Sequence, residues 1–456
     1  MIVPRIRLIV LIVLVLLPAT GLAARYPDWT LPAWVAALLV LAAAGWDAAG
    51  SRRRFDGIAA RAPEIVRMTV GRPAAIVLTL ENPRAAALPL RVGVALPPAF
   101  ASDTPSVLLR LPGGREAHVL TWSCRALQRG RFHVTAAFLE IPSYLGLWSL
   151  RRRSALQSEL RAYPDLVSGQ KQILGVFRHA DWGWRSVRKI GKGREFEQLR
   201  DYLPGDNYED VDWKATARRR YPVTRVFQVE QSQEIYVILD ASRLSTRDAG
   251  YVRERRRSDD AFLEAGPAAT IFEHYIRAAL VLALAAEKAS DHYGLLIFGA
   301  RPDGFIKAGR GRFHYNACRE ALYNRIPQSV SPDFDDLFTF IGTHLRKRAL
   351  LLFLTHLDDP LMSESFLRAM PLCARQHVLM INMFRPAGAY PLFSSADIRT
   401  ERGIYEHLAG HMLWSGLDET RRRLRQYGAG FALLDKEDLC SQLIDQYMEV
   451  KQRQVL

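Results

Sequence analysis

The sequence predicts a doubly wound α/β domain that follows an antiparallel β domain and an N-terminal pair of membrane helices. Two uncharged apolar stretches open the chain, short apolar runs split by Pro and Gly follow, and longer buried-type strands then alternate with helical segments. With 456 residues, the chain has room for two to four domains. A hydrophobic share of 49% is an ordinary globular value, which excludes a disordered or collagen-like chain.

Residues 1–54 are predicted to form a membrane hairpin. The stretches Leu8–Ala24 and Trp29–Trp46 carry no charged residue, and each is near the length of about 20 residues that crosses a bilayer. Arg52–Arg54 follow the second stretch directly, and such clusters stay on the cytoplasmic side of a membrane. We therefore expect an inner-membrane protein with a two-span anchor and its soluble domains in the cytoplasm.

A cleaved signal peptide at residues 1–24 is the alternative interpretation. Arg5 and Arg7 would form its basic region and Leu8–Leu17 its apolar core. The orientation predicted by the later arginines is the same in both cases. The four scattered cysteines form no CxxC pair, which is typical of reduced thiols: Cys124, Cys318, Cys373 and Cys440.

Residues 55–165 are predicted to form a β-sandwich-like domain. Short apolar strands are separated by turns rich in Pro and Gly, with no helical run between them. The strands that the pattern indicates are Ala75–Leu80, Leu90–Leu96, Ala117–Trp122 and Phe132–Leu139.

Residues 231–456 are predicted to form the α/β domain. Its strands are apolar on both faces, which is typical of a covered, mostly parallel sheet. Phe272–Lys288 reads as a buried helix, and Ser331–Leu345 as an amphipathic helix with Ser331 as its cap. A last helix starts around Asp435. The predicted strands are Ile235–Leu239, Tyr293–Phe298, Ala349–Leu354, Val378–Phe384 and Gly430–Leu434.

Residues 166–230 form a charged segment that joins the two modules. Between Gly191 and Glu230 acidic and basic residues alternate densely. They could form a fixed network of ion pairs, or they could be a solvated loop, and composition alone favours the loop. The residues of the possible network are Arg194, Glu195, Arg200, Asp201, Asp206, Asp212, Lys214 and Arg218.

The pattern G-x-G-x-E-F-x-x-L-R-x-Y-x-P-G-D, followed by D-W-K-A-T-A-R, resembles the signature of the bacterial domain-of-unknown-function family numbered fifty-eight. Arg129-Gly130 and Leu145–Leu147 resemble that family's region at the end of the β segment. Relatives usually carry an Arg where this chain has Asn207–Asp210. The matching positions are Gly191, Gly193, Glu195, Phe196, Leu199, Arg200, Tyr202, Pro204, Gly205, Asp206, Asp212, Trp213, Lys214, Ala215, Thr216, Ala217 and Arg218.

The resemblance implies two N-terminal membrane spans, a β-rich segment and a von Willebrand factor A-like α/β domain. It also implies a non-enzymatic adaptor or scaffold that binds partner proteins. Members of that family often accompany MoxR-type AAA+ ATPases and sometimes transglutaminase-like membrane proteins. On this basis we expect a role in the assembly or maturation of envelope or membrane complexes.

Von Willebrand A domains hold a divalent metal at the carboxyl edge of the sheet through a D-x-S-x-S motif. Here Asp240 and Ser242 match, but Leu244 replaces the second Ser and Arg243 adds a positive charge. Asp358 follows a neighbouring predicted strand and could complete a degenerate metal-ion-dependent adhesion site for Mg²⁺. The alternative is a decayed site in which Asp240 caps the following turn and binds no cation.

The sequence lacks the common motifs of enzymes, so no catalytic or cofactor-binding residue is assigned. The sequence contains no G-x-x-x-x-G-K-[ST], no G-x-S-x-G and no G-x-G-x-x-G. His407 and His411 are one helical turn apart, but Leu408 stands where a metalloprotease needs Glu, and we expect two surface or packed histidines. A metal-dependent hydrolase that uses Asp240 and Asp358 remains the second alternative function.

The net charge of +15 suggests another alternative, a basic scaffold that binds nucleic acid or anionic lipid. Four Arg clusters are dispersed over different predicted elements, and no nucleic-acid-binding motif accompanies them. Residues 243–266 read as a polar insertion beside the sheet edge, where a partner could bind. Anionic lipid near the membrane anchor explains the basic excess at least as well as nucleic acid does.

Overall fold

The computed structural model describes residues 1–83, 87–113, 117–166, 190–204, 206–228, 233–247, 270–386, 388–392, 400–435 and 438–453. These residues form two compact units. The first comprises Met1–Asp165, and the second begins at Leu166.

The first unit begins with two long apolar helices, α1 (Ile6–Arg25) and α2 (Thr30–Ser51). Both are long and apolar enough to cross a membrane, and most of their side chains are exposed. A soluble protein cannot leave so many Leu, Val and Trp side chains in water at no cost, which makes a membrane anchor the simplest interpretation. A signal sequence has the same length and apolar character.

The rest of the first unit is built from strands in two sheets. The first sheet has the order β1-β10-β9-β5-β7, with β3 also paired to β10, and the second has the order β2-β4-β8-β6. All pairs are antiparallel except β3 with β10. The strands are β1 (Ile2–Pro4), β2 (Ala59–Arg61), β3 (Ile65–Thr69), β4 (Pro73–Glu81), β5 (Leu88–Val94), β6 (Phe100–Ala101), β7 (Val107–Leu111), β8 (Ala117–Ala126), β9 (Gly130–Pro142) and β10 (Trp148–Tyr163).

Apolar side chains from the two sheets share one core. Ile76, Leu78 and Leu80 alternate with more exposed residues along β4, as a strand with one buried face requires. Trp122 of β8 and Leu139 of β9 are packed in the same cluster. The predicted antiparallel β domain is therefore present, although the long strand β10 was not among the predicted strands because it is rich in Arg and Ser.

The second unit begins with a two-stranded antiparallel sheet of β11 (Ile190–Asp201) and β12 (Val223–Gln228). The short helix α3 (Trp213–Arg219) lies between the two strands in the chain. We call residues 199–225 the signature hairpin, because they contain the described side chains of the family signature.

A six-stranded sheet forms the centre of the second unit, in the order β15-β14-β13-β16-β17-β18. It is parallel except for the edge strand β15, which pairs antiparallel with β14 and was not predicted. The strands are β13 (Glu234–Asp240), β14 (His292–Phe298), β15 (Pro302–Gly309), β16 (Leu350–Leu354), β17 (Val378–Phe384) and β18 (Gly430–Leu434).

Helices cover both faces of this sheet, as its fully apolar strands predict. Along β13, Val237 packs in one core cluster with α4, and Ile238 packs in the other with α6. The helices are α4 (Ile271–Lys288), α5 (Arg312–Leu322), α6 (Phe334–His344), α7 (Pro360–Ala369), α8 (Pro371–Gln376), α9 (Glu401–Gln426) and α10 (Leu439–Arg453).

Two predicted helix starts differ from the structure. Helix α6 is capped by Asp333, whose carboxylate accepts a hydrogen bond from the Asp336 amide at 3.0 Å, and not by Ser331. The Ser331 hydroxyl instead accepts a hydrogen bond from Arg243, on a distant part of the chain. The last helix starts at Leu439, four residues later than Asp435.

Candidate functional site

The signature hairpin is held together by the carboxylate of Asp206. One oxygen accepts a hydrogen bond from Arg200 Nη2 at 2.6 Å, and the other accepts bonds from the Leu203 amide at 3.0 Å and the Thr224 hydroxyl at 3.1 Å. These donors, the Leu203 amide first, lower the pKa of Asp206. The carboxylate thus joins the end of β11, the following turn and the start of β12.

Helix α3 is fixed at its start and in its middle. Asp212 caps its first turn by accepting a hydrogen bond from the Ala215 amide at 3.0 Å. The Thr216 hydroxyl accepts a hydrogen bond from the Val223 amide at 3.1 Å, which ties the helix to β12. Sequence analysis did not assign a role to Thr216 or Thr224, because a hydroxyl carries no sign of its partner.

Two aromatic side chains of the signature hairpin point outward. Trp213 is 64% exposed and Tyr208 is 75% exposed, which is high for aromatic side chains on a hydrogen-bonded frame. Lys214 and Arg218 are exposed as well. Of the possible ionic network, the described side chains show one ion pair, Arg200 with Asp206, while Asp212 caps a helix and Lys214 and Arg218 face solvent; the side chains of Arg194 and Glu195 lie outside the described residues.

Some signature positions cannot be assigned contacts. Gly205 lies outside the described residues. Gly191, Gly193, Glu195 and Phe196 are described only as part of the backbone of β11.

The carboxyl edge of the six-stranded sheet contains the predicted metal ligands. Asp240 ends β13, is fully buried, and accepts hydrogen bonds from the Ser242 amide at 2.8 Å and the Thr355 hydroxyl at 2.6 Å. The Ser242 hydroxyl accepts a hydrogen bond from the Leu244 amide at 3.3 Å. Burial raises the pKa of Asp240. The strand order reverses between β13 and β16, and ligands bind at such edges in doubly wound sheets.

Asp358, the third predicted ligand, forms an ion pair with Arg247, 2.5 Å from Arg247 Nη1 to Asp358 Oδ2. A second arginine, Arg243, donates a hydrogen bond to Ser331 at 3.1 Å. From the sequence, Arg243 is the charge expected to oppose a cation, and nothing there indicates Arg247. Only the fold brings Arg247 to Asp358, which is 111 residues away in the chain.

Behind this edge lies a buried pair of aromatic side chains. The Tyr275 hydroxyl is 3.1 Å from His356 Nδ1 and 3.3 Å from the Thr355 carbonyl oxygen, to which it donates. Burial lowers the pKa of His356 to about 4, so the ring is neutral at pH 7. This pair supports the loop after β16 without adding charge to it.

The edge fits Mg²⁺ poorly. A hard divalent cation needs several converging oxygen ligands without a competing positive charge, whereas Arg247 neutralises Asp358 and two protein donors already bind the carboxylate of Asp240. In the described ranges, His, Cys, Asp and Glu side chains form no group of three or more that could hold a metal. The contacts match the alternative in which Asp240 caps the turn, and Mg²⁺ binding stays a prediction.

The two histidines of α9 have different surroundings. His411 Nδ1 accepts a hydrogen bond from the Leu392 amide at 3.1 Å, and its ring stacks on Trp414 with 5.7 Å between centroids. His411 is thus packed against its neighbours. His407 is half-buried and has contacts of its own.

Comparison with known proteins finds relatives of unknown function. A protein from Bacillus subtilis named "Uncharacterized protein YeaD" is 24% identical over 134 residues, which are 29% of this chain and 33% of that protein. The alignment therefore spans about a third of that relative.

Two solved structures also match, but with TM-scores too low to support an argument. A protein of unknown function from Porphyromonas gingivalis W83 is 17% identical with a TM-score of 0.16, and covers 24% of this chain and 46% of its own. An uncharacterized membrane spanning protein from Vibrio fischeri is 12% identical with a TM-score of 0.16, and covers 48% of this chain and 98% of its own.

A family model agrees with the signature. It extends from the end of β11, through the signature hairpin and the carboxyl edge of the sheet, to the loop after β17. The resemblance inferred from the signature is confirmed: residues 198–389 match the family described as "Protein of unknown function DUF58".

Proposed function

We propose that this protein is a membrane-anchored, non-enzymatic adaptor that binds a partner protein through its second unit, with the signature hairpin as the main contact surface. The observation that carries the proposal is that some side chains of the hairpin hold its structure while others are exposed. Asp206, Asp212 and Thr216 are used to hold the frame, and Trp213 and Tyr208 are presented to solvent.

A fixed frame lowers the entropic cost of binding, because the contact residues are already ordered. Exposed Trp and Tyr residues on such a frame are the side chains that most often dominate the affinity of protein interfaces. Leu203 and Tyr221, 58% and 45% exposed, extend the apolar part of the surface. These features favour a protein partner over a small-molecule substrate.

The charges beside Trp213 indicate the chemistry of the partner. Lys214, Arg218, Arg219 and Arg220 are exposed on or directly after α3. A partner with acidic side chains around an apolar contact would complement this surface, and steering by opposite charges would speed its association.

The identity of the partner rests on the family resemblance. A MoxR-type AAA+ ATPase is the first candidate and a transglutaminase-like membrane protein the second, in the assembly or maturation of envelope or membrane complexes. The anchor rests on α1 and α2, and Arg52–Arg54 favour the cytoplasmic side for the soluble units. A cytoplasmic position is where an ATPase would meet them.

Affinity measurements on the full chain in detergent test this proposal. The purified MoxR-type ATPase of the same organism, loaded with a non-hydrolysable ATP analogue, would be titrated against wild type, Trp213→Ala and Leu361→Ala. We expect Trp213→Ala to weaken binding about 30-fold, since a central Trp contributes about 2 kcal/mol or more. Leu361 is the matched control, because it is an apolar side chain, 76% exposed, on α7 and is not part of the signature.

Two results would contradict the proposal. Equal binding by wild type and Trp213→Ala would remove the hairpin as the contact surface, and no binding at all would remove this partner. Single-stranded DNA and heparin serve as competitors. If either polyanion displaces the ATPase, and binding also depends steeply on salt, the alternative of a basic scaffold is favoured.

A further inference from the structure

Within the first unit, one buried carboxylate joins the membrane helices to the β domain. Asp47, near the end of α2, is fully buried. Its Oδ2 accepts a hydrogen bond from the Ser143 hydroxyl at 2.6 Å, and its Oδ1 accepts one from the Leu145 amide at 2.9 Å. Ser51, one helical turn later, accepts a hydrogen bond from the Tyr144 amide at 2.9 Å. Three consecutive residues of the turn between β9 and β10 are thus hydrogen-bonded to the last turns of α2.

The same turn contacts the start of α1. The Arg5 amide donates to the Leu147 carbonyl at 2.9 Å, and Leu8 packs against Leu147 and Ala44. Gly146 has φ +73°, and a Cβ at this position would lie 3.0 Å from the Arg7 guanidinium. The positive φ favours glycine at this position, and the Arg7 side chain lies close to the backbone there.

We call residues 143–148 the interfacial loop. Its Leu147 packs against Leu8, at the start of the first apolar stretch, and against Ala44, near the end of the second. The loop therefore lies at the level of the membrane boundary that these two helix ends share. Two of its side chains are nevertheless exposed, Tyr144 by 61% and Leu145 by 51%. An exposed Tyr–Leu pair at this level is placed where bilayers have their boundary between headgroups and acyl chains.

We propose that the interfacial loop is a lipid-contacting surface: Tyr144 and Leu145 enter the headgroup layer of the same bilayer that α1 and α2 cross. The bilayer is the occupant because the loop continues the apolar surface of the two helices. Tyr suits this layer, with an apolar ring and a polar hydroxyl. Arg7 and Arg52, both exposed at the ends of the helices, are available for lipid phosphates. This inference rests on the membrane anchor of the proposed function.

Such a contact would fix how the β domain stands on the membrane. A helical hairpin alone would leave the domain free to rotate, whereas the hydrogen bonds that the loop donates to Asp47 and Ser51 remove that freedom within the first unit. The domain would then present a constant face toward the cytoplasm.

Depth-dependent quenching tests this surface. The native cysteines are buried, so a single new cysteine in the folded full chain can be labelled selectively with an environment-sensitive fluorophore. Leu145→Cys and Tyr144→Cys would be compared with Leu108→Cys, which is 68% exposed on β7. Each labelled chain would be reconstituted in vesicles with phosphatidylglycerol and lipids brominated near the headgroup.

We expect brominated lipid to quench the labels at 144 and 145 strongly, and to leave the label at 108 unquenched. Two labelled positions are used because either substitution alone could distort the loop. Labels at 144 and 145 that behave like the label at 108, in a chain that resists alkaline extraction, would overturn this inference and leave the anchor intact. Release of the chain by alkaline extraction would overturn both.

Discussion

The signature hairpin and the carboxyl edge of the six-stranded sheet use similar side chains in opposite ways. At the sheet edge, Asp240 is fully buried and its partners, Ser242 and Thr355, are buried with it. In the signature hairpin, Asp206 organises an equally dense set of hydrogen bonds, but the frame it builds presents Trp213 to solvent. A polar motif therefore shows where structure is fixed, and the exposed side chains around it show where a partner can bind.

The largest effect on stability is expected from substitution of Asp240. Asp240→Ala would leave the Ser242 amide and the Thr355 hydroxyl buried without an acceptor. Each such group costs about 1–3 kcal/mol, so we expect a loss of about 3 kcal/mol in the free energy of unfolding, measured by denaturant unfolding of the full chain in detergent. Asp240→Asn keeps one acceptor and should cost less. Equal stability of wild type and Asp240→Ala would show that these contacts do not hold the edge.

The pH dependence of Asp240 adds a second readout. Its pKa in the folded protein is raised by burial, so the folded state holds a proton that the unfolded state releases. Stability should therefore decrease as the pH rises from the ordinary pKa of Asp toward the folded value. Asp240→Asn should remove this part of the dependence, which denaturant midpoints at several pH values would measure.

The contribution of Asp206 to stability should depend on pH in the opposite direction. Its pKa is lowered in the folded protein, so its contribution is present above the ordinary value of 3.8 and is lost as the pH falls through the folded value. We expect pepsin to cleave residues 199–225 faster as the pH drops below 3.8. Normalising to Asp206→Asn removes the pH dependence of pepsin itself. A ratio that does not change with pH would contradict the role of this carboxylate.

Substitution of Trp213 should weaken binding of the partner without changing the stability of the fold. Because its side chain is 64% exposed, Trp213→Ala should change the free energy of unfolding by no more than about 0.5 kcal/mol. Denaturant unfolding would measure this beside the binding loss expected above. A large loss of stability would mean that Trp213 is part of the frame.

The smallest expected effect is that of magnesium. Since hydrogen-bond donors contact both oxygens of Asp240, calorimetry with Mg²⁺ should give no more heat for wild type than for Asp240→Ala. Heat that depends on Asp240 would instead support the degenerate metal site of Asp240, Ser242 and Asp358.

Much of the fold could be predicted because burial leaves a periodic record in the sequence. The apolar runs Val378–Phe384 and Gly430–Leu434 are strands with the predicted bounds, since a parallel strand covered on both faces must be apolar throughout. Strand β10 and the edge strand β15 were missed, because β10 carries Arg151–Arg153 on its exposed part and β15 has a mixed pattern.

The sequence by itself determined the apolar N-terminal hairpin, the antiparallel β domain, the parallel core and the family signature, because each leaves its mark in neighbouring residues. The tertiary structure alone decided which polar side chains meet: Asp47 with Ser143, Asp240 with Thr355, and Asp358 with Arg247. Each pair is about a hundred residues apart, and a carboxylate shows no preference in the sequence among the donors that could reach it. Whether such a group binds a cation or a hydroxyl depends on burial and distance, which only the folded chain fixes.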